Sequence, residues 1–215
     1  MKKGDQLIIS DNGISHLCEI QEFTLDSVIV KVLEENFADT SLPISITLFQ
    51  GLPKSDKLEM IIQKAVELGA DEIVPVEMAR SVVKLLGNKK DNKTQRWQAI
   101  AESAGKQSKR TSITKVAPVI SFKNTVDKIK EFDLFIVPFE SKNGMADTKD
   151  TLSLLKAGMR VGVLIGPEGG FEQKEIDACI QQGAKIISLG KRILRTETAS
   201  LTTLSMLMLY AEMYL

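Results

Sequence analysis

Leu134–Phe139, Val161–Ile165 and Ile186–Leu189 are runs in which apolar residues fill nearly every position instead of alternate ones. A strand of that kind has no face to give to water. It must be covered on both sides, as in a parallel sheet between two layers of helices. Around these runs the period changes. Leu58, Ile61, Ile62, Ala65 and Leu68 recur at helical spacing within Asp56–Leu68, and Gly69 supplies a stop. Thr94–Ser108 carries Trp97, Ile100, Ala101 and Ala104 on one side. Helices are also expected at Thr148–Lys156, Glu172–Gln182 and Thr198–Tyr214, and strands at Ile44–Phe49 and Glu72–Val76. This alternation predicts an α/β fold with a mostly parallel sheet and helices on both faces.

The first forty residues follow another rule. Asp5–Ser10 and Ile14–Ile20 flank Asp11-Asn12-Gly13, a hairpin signal because Asn-Gly accepts positive φ. Ser27–Leu33 is a third, β-branched run. Three strands are marginal alone and must pack on the rest of the chain. The expected division is 1–43, β-rich, and 44–215, α/β.

Charge is balanced overall, with 28 basic and 28 acidic residues, but not locally. Between Arg80 and Lys115, ten basic residues face only Asp91 and Glu102, a net +8. Such a field binds phosphate, although lysine-rich solvated loops are also common. Cys18 and Cys179 are far apart and form no CxxC, so a disulfide scaffold is not expected and a reducing cytoplasm fits. His16 is the one histidine, which leaves no His-rich metal site; no metal is expected. The apolar stretch Ala199–Leu215 contains Thr202, Thr203, Ser205 and Glu212, too short and polar for a membrane span. A buried or interface helix explains it better, and Leu201, Leu204 and Met206–Leu209 leave so little polar surface that a homodimer is expected.

Open α/β sheets bind ligands beyond the carboxyl ends of their strands. Two such ends are unusual. In Gly166-Pro167-Glu168-Gly169-Gly170-Phe171 three glycines allow close backbone approach and Pro167 stiffens the turn. The pattern is neither of the phosphate-binding glycine motifs. Glu168 would repel phosphate; a carboxylate suits ribose hydroxyls or a cation, and S-adenosylmethionine offers both. In Leu189-Gly190-Lys191-Arg192-Ile193-Leu194-Arg195-Thr196-Glu197-Thr198-Ala199, Ile193 and Leu194 would be exposed unless they wall an apolar slot, and Thr196 can cap the last helix.

Together these two stretches resemble the ribosomal small subunit methyltransferase E family of SPOUT methyltransferases. Leu52-Pro53-Lys54-Ser55-Asp56-Lys57, Glu67-Leu68-Gly69-Ala70-Asp71, Pro75, Arg80-Ser81, Arg96-Trp97, Glu102-Ser103-Ala104 and Gln107-Ser108-Lys109-Arg110 are similar to it as well. The resemblance implies a trefoil-knotted domain that binds S-adenosylmethionine and works as a homodimer, preceded by a small PUA-like β-barrel. The implied product is N3-methyluridine in 16S ribosomal RNA of the small subunit. It implies a cofactor site of Phe139, Leu164, Ile165, Gly166, Pro167, Glu168, Gly169, Gly170, Leu189, Gly190, Ile193, Leu194, Arg195 and Thr198. With the charge pattern it implies RNA contacts at Lys54, Arg80, Lys84, Arg96, Lys106, Gln107, Lys109 and Arg110. The chain departs from the family pattern in three places. It begins at Met1 without the residues that usually precede the match to Lys3-Gly4-Asp5, so the barrel is expected to be incomplete. Val66 stands where threonine is usual, and Gly105-Lys106 replaces an Ala-Glu pair.

For such a transfer a fixed cation should stabilise charge developing on the uracil carbonyls, and Arg195 is the first candidate. Glu197 and Glu168 are candidates for the base. Two other classes compete. A non-catalytic RNA-binding or ribosome-assembly protein would explain the basic segment but not the glycine loop. A nucleotide-dependent oxidoreductase would need a glycine-rich phosphate loop where Gln50-Gly51-Leu52-Pro53-Lys54 stands.

Overall fold

The computed structural model describes residues 1–11, 13–54, 57–82, 89–139 and 144–215. Strands β1 (Gln6–Asp11), β2 (Ile14–Phe23) and β3 (Val28–Glu35) form an antiparallel sheet in that order. Gly13, at φ +85°, makes the first turn that the sequence requires. The remaining strands make a second, parallel sheet: β4 (Ser45–Gly51), β5 (Glu72–Glu77), β6 (Lys115–Val116), β7 (Ile120–Ser121), β8 (Leu134–Pro138), β9 (Arg160–Ile165) and β10 (Lys185–Ile187). Its order is β10-β8-β9-β4-β5-β6, with β7 also on β5. Helices α1 (Lys57–Glu67), α2 (Lys89–Gln107), α3 (Phe122–Lys128), α4 (Met145–Leu152), α5 (Gln173–Gln181) and α6 (Thr196–Tyr214) connect or follow these strands.

The apolar runs explain themselves once both faces are seen. Successive residues of one strand enter opposite cores: Leu48, Ile136 and Val163 face α1, α2 and α6, where Ile61, Ile62, Trp97 and Leu204 meet them. Phe49, Phe135, Val137 and Leu164 face the other layer, with Ile176 and Cys179 of α5. A two-residue period with two apolar faces reads as a continuous run. Gly162 is glycine because Phe135 lies over it; an added Cβ would stand 2.3 Å from the ring.

Several boundaries differ from the sequence reading. The expected Thr148–Lys156 helix is Met145–Leu152. It starts after Gly144, at φ +59°, and ends early enough for Leu155 to drop into the core. α2 begins at Lys89 rather than Thr94, and α6 at Thr196 rather than Thr198. α3 was not expected; Ser121 caps it by accepting the Asn124 N–H at 3.2 Å. No helix among the described residues is long and apolar enough to cross a membrane.

Candidate functional site

β10, β8, β9 and β4 are neighbours and parallel, so their carboxyl ends open on one edge of the sheet. The segments leaving that edge are Phe139, 166–171, 188–195 and 52–54. Leu164 and Ile165 deliver the first glycine loop from the core, each buried on its own face of the sheet. Gly170 N–H closes the turn on the Pro167 carbonyl at 2.9 Å, with Gly170 at φ +68°, a conformation that favours glycine. Behind the loop, Phe171 meets Phe139 edge to face, 6.0 Å between ring centres.

The loop is braced from three sides. The Arg80 guanidinium donates to the Gly169 carbonyl at 3.0 Å, and a Cβ on Gly169 would lie 2.8 Å from Arg80 Cβ. Glu172 and Glu175 form a reciprocal capping box at the start of α5. The buried Glu175 carboxylate also accepts the Ala79 N–H at 3.1 Å, tying α5 to the segment that carries Arg80. Glu168 accepts the Lys54 N–H at 3.0 Å and pairs with Lys57 Nζ at 3.3 Å. Burial pushes the Glu168 carboxyl up, but the N–H groups of Lys54 and Glu168 and the Lys57 ammonium together hold it below the usual carboxylate value. Lys57 Nζ is also 3.3 Å from Glu197, so one ammonium bridges the two carboxylates expected to be candidate bases.

The second loop is pinned at its start. The Thr148 hydroxyl donates to the Ser188 carbonyl at 2.6 Å and accepts the Ser188 N–H at 3.1 Å. Gly190 follows at φ +103° with nothing within 4 Å of its would-be Cβ, so its backbone is open. Leu189 and Leu194 are half-buried, while Ile193 is 96% exposed on the protomer. Arg195 and Thr198 are exposed, and Arg195 is the N-cap residue of α6. Thr196 does not cap the helix as expected. It is the first helical residue, and its hydroxyl turns inward to the Gly166 carbonyl at 2.6 Å, linking the two loops. Gln50 donates to that same hydroxyl at 3.0 Å.

The expected RNA contacts divide. Lys54, Lys106, Gln107 and Lys109 are exposed. Arg96 is exposed and pairs with Glu59 at 2.8 Å. Lys84 lies outside the described residues. Arg80 braces the glycine loop through the Gly169 carbonyl. Arg110 is held inward: its side chain is 5% exposed and its guanidinium pairs with Asp71 at 2.9 Å and reaches the Val66 and Ala70 carbonyls. It holds the end of α2 to the α1–β5 turn. Beside the exposed lysines lies a groove of about 1040 Å³, with Gln6, Ile8 and Ser10 on one wall and Lys106, Lys109 and Ile113 on the other.

Gln50 and Lys57 escaped the sequence reading as site residues. Gln50 left one signal, an amide directly after the apolar pair Leu48-Phe49 at the end of its strand. Lys57 was visible within the Leu52–Lys57 stretch but carried no assigned role.

Residues 40–208 match the family described as the RNA methyltransferase domain. The chain is 40% identical to a ribosomal RNA small subunit methyltransferase E from Bacillus subtilis, over 99% of this chain and 85% of that one. A crystal structure of a ribosomal RNA small subunit methyltransferase E from Neisseria gonorrhoeae, bound to S-adenosyl methionine, superposes with TM-score 0.81 at 29% identity, covering 96% of this chain and 83% of that one. A methyltransferase structure from Legionella pneumophila with bound cofactor gives TM-score 0.80 at 29% identity, covering 96% and 84%. With the strand-end loops in place and relatives of this identity along nearly its whole length, the chain belongs to the ribosomal RNA small subunit methyltransferase E family.

Proposed function

We propose that this protein methylates small-subunit ribosomal RNA with S-adenosylmethionine, and that the acceptor is N3 of a uridine in 16S RNA. The observation that carries the reading is the pair of glycine-bearing loops at adjacent strand ends, joined by the Thr196–Gly166 hydrogen bond. The residues fit the cofactor. Gly170 and Gly190 leave open backbone where a ligand can approach, and Ile193, Leu194 and Leu189 offer apolar carbon for a flat ring. Bound there, S-adenosylmethionine supplies an electrophilic methyl group on a sulfonium.

The chain's own residues then have separable tasks. Arg195, exposed at the start of α6, faces the charge that develops on the uracil carbonyls as N3 loses its proton. Glu197 accepts that proton, and Lys57 holds the Glu197 carboxylate in place. Glu168 anchors the glycine loop to Lys54 and Lys57. Uracil N3 takes part in base pairing, so the target must be unpaired or turned out of its stack. Lys54, Lys106, Gln107 and Lys109 contact RNA, with Arg96 beside them. Residues 1–43 belong to a PUA-like unit that holds RNA, and 44–215 to a trefoil-knotted methyltransferase domain acting in the cytoplasm. The exposed Leu209, Met213 and Tyr214 of α6 meet a second copy of the chain.

Calorimetric titration decides the cofactor: S-adenosylmethionine binds without RNA and NAD does not. Single-turnover methylation of 16S RNA then separates the enzyme from a non-catalytic RNA binder. Arg195→Ala should cut the transfer rate by about a hundredfold while RNA affinity changes little, because its partner charge exists only in the transition state. Equal loss of both would remove Arg195 from this role.

A further inference from the structure

At the end of β4, Gln50 is 0% exposed and every polar atom of its side chain is used. Its Nε2 donates to the Gly51 carbonyl and to the Thr196 hydroxyl, each at 3.0 Å. Its Oε1 lies 2.5 Å from the Ser200 hydroxyl, which is also 2.8 Å from the Thr196 carbonyl and shares its single hydrogen between them. The Gly51 carbonyl fixes which end of the amide is nitrogen, since two oxygens placed there would repel. The rest follows in one direction. Nε2 occupies a lone pair of Thr196 Oγ1, so the Thr196 hydrogen points at the Gly166 carbonyl, 2.6 Å away. Beside this amide Gly51 abuts the same loop, for a Cβ on it would stand 2.7 Å from Pro167 N.

We propose that Gln50, acting through Thr196, is a positioning residue for methyl transfer: it fixes the Gly166–Pro167 peptide and so sets the glycine loop against the start of α6. This rests on the methyltransferase reading above. Three elements far apart in sequence, β4, the loop after β9, and α6, thereby share one oriented chain of hydrogen bonds. Arg195 and Glu197 flank Thr196, so a shift of Thr196 moves the groups that meet RNA along with the loop that meets the cofactor. Buried networks of this kind give one arrangement a large advantage over its neighbours, because a half-satisfied network leaves desolvated polar atoms.

The test uses the full chain and three variants. Thr196→Val keeps the shape and removes the hydrogen aimed at Gly166; Thr196→Ser restores it. Gln50→Glu keeps the size but replaces the donor by an acceptor, which takes the Thr196 hydrogen away from Gly166. If the buried carboxylate prevents folding, the threonine pair still decides. Below the melting transition, Thr196→Val should weaken S-adenosylmethionine binding about tenfold and lower kcat further, whereas Thr196→Ser stays within about threefold of wild type. In the unliganded protein the Gly170 amide should exchange about tenfold faster in Thr196→Val, while amides within β4 keep their protection. A purely structural role would lower Tm and leave cofactor affinity and Gly170 exchange of the folded protein unchanged; that result overturns the inference. Wild-type protein that fails to bind S-adenosylmethionine would instead remove the functional reading and, with it, the cofactor part of this inference.

Discussion

Lys109 and Arg110 are neighbours in sequence and both line the groove, yet one side chain is solvated and the other is bound inward. Lys109, at φ +59°, is exposed beside the groove. Arg110 turns in to Asp71 and two backbone carbonyls. No charge count separates them, because both add one to the same basic segment; burial alone decides. Arg110→Met should therefore cost about 2 kcal/mol of stability in urea denaturation, the range for leaving buried hydrogen-bonding groups unpaired, and should spare the salt dependence of RNA binding. Lys109→Ala should do the reverse, lowering the log–log salt slope by about one unit with little effect on stability. Glu168 gives a third expectation. Its carboxyl is held below 4.5 in the folded protein, so the stabilisation it brings is present at neutral pH and is lost as pH falls from about 4.5 through the folded value. Thermal midpoints measured from pH 7 down to that acidic range should drop less steeply for Glu168→Gln than for wild type. Parallel curves would mean that the Lys54 and Lys57 contacts do not stabilise the folded loop.

Elements were legible in the sequence wherever their period was strong. The β8 and β9 runs and the α1 stripe stand close to where the apolar pattern puts them, since each buries two faces or one continuous stripe. α3 was missed because seven residues give too little periodicity, and its start depends on one Ser121 cap. In α6 the long apolar run foretold the helix but hid its division of labour. Leu204, Leu207 and Ala211 are buried in the protomer, whereas Leu209, Met213 and Tyr214 are exposed. The exposed set is where a second copy should dock. Light scattering at micromolar concentration should give a dimer for wild type and a monomer for Leu209→Glu combined with Met213→Glu. Since neither residue packs in the protomer core, Tm should fall only by what dimerisation itself contributes. A wild-type monomer would remove the expectation.

Across the whole molecule, the alternation of strands and helices announced a parallel sheet, but nothing in the sequence announced its order. β4, the first strand of this sheet in the chain, stands between β5 and β9, and β10, the last, lies at an edge. That order is what gathers the four strand ends, and it explains why the glycine loops were readable as a site while Gln50 was not: its partners lie 146 and 150 residues away. Those same spans set a schedule. Synthesis proceeds from the N-terminus, at about 5–20 residues per second. β4 and β5 can pair early, but Gln50 must wait for Thr196 and Ser200 to be made before its amide has partners. Until then a polar side chain sits in a nascent apolar core, a state that disfavours tight closure of the sheet edge. Contacts of such range also close slowly. A growing chain that already holds most of its apolar core residues therefore still lacks the helix start that ties its glycine loop to β4, and no nascent copy can close that edge of the sheet until α6 has been made.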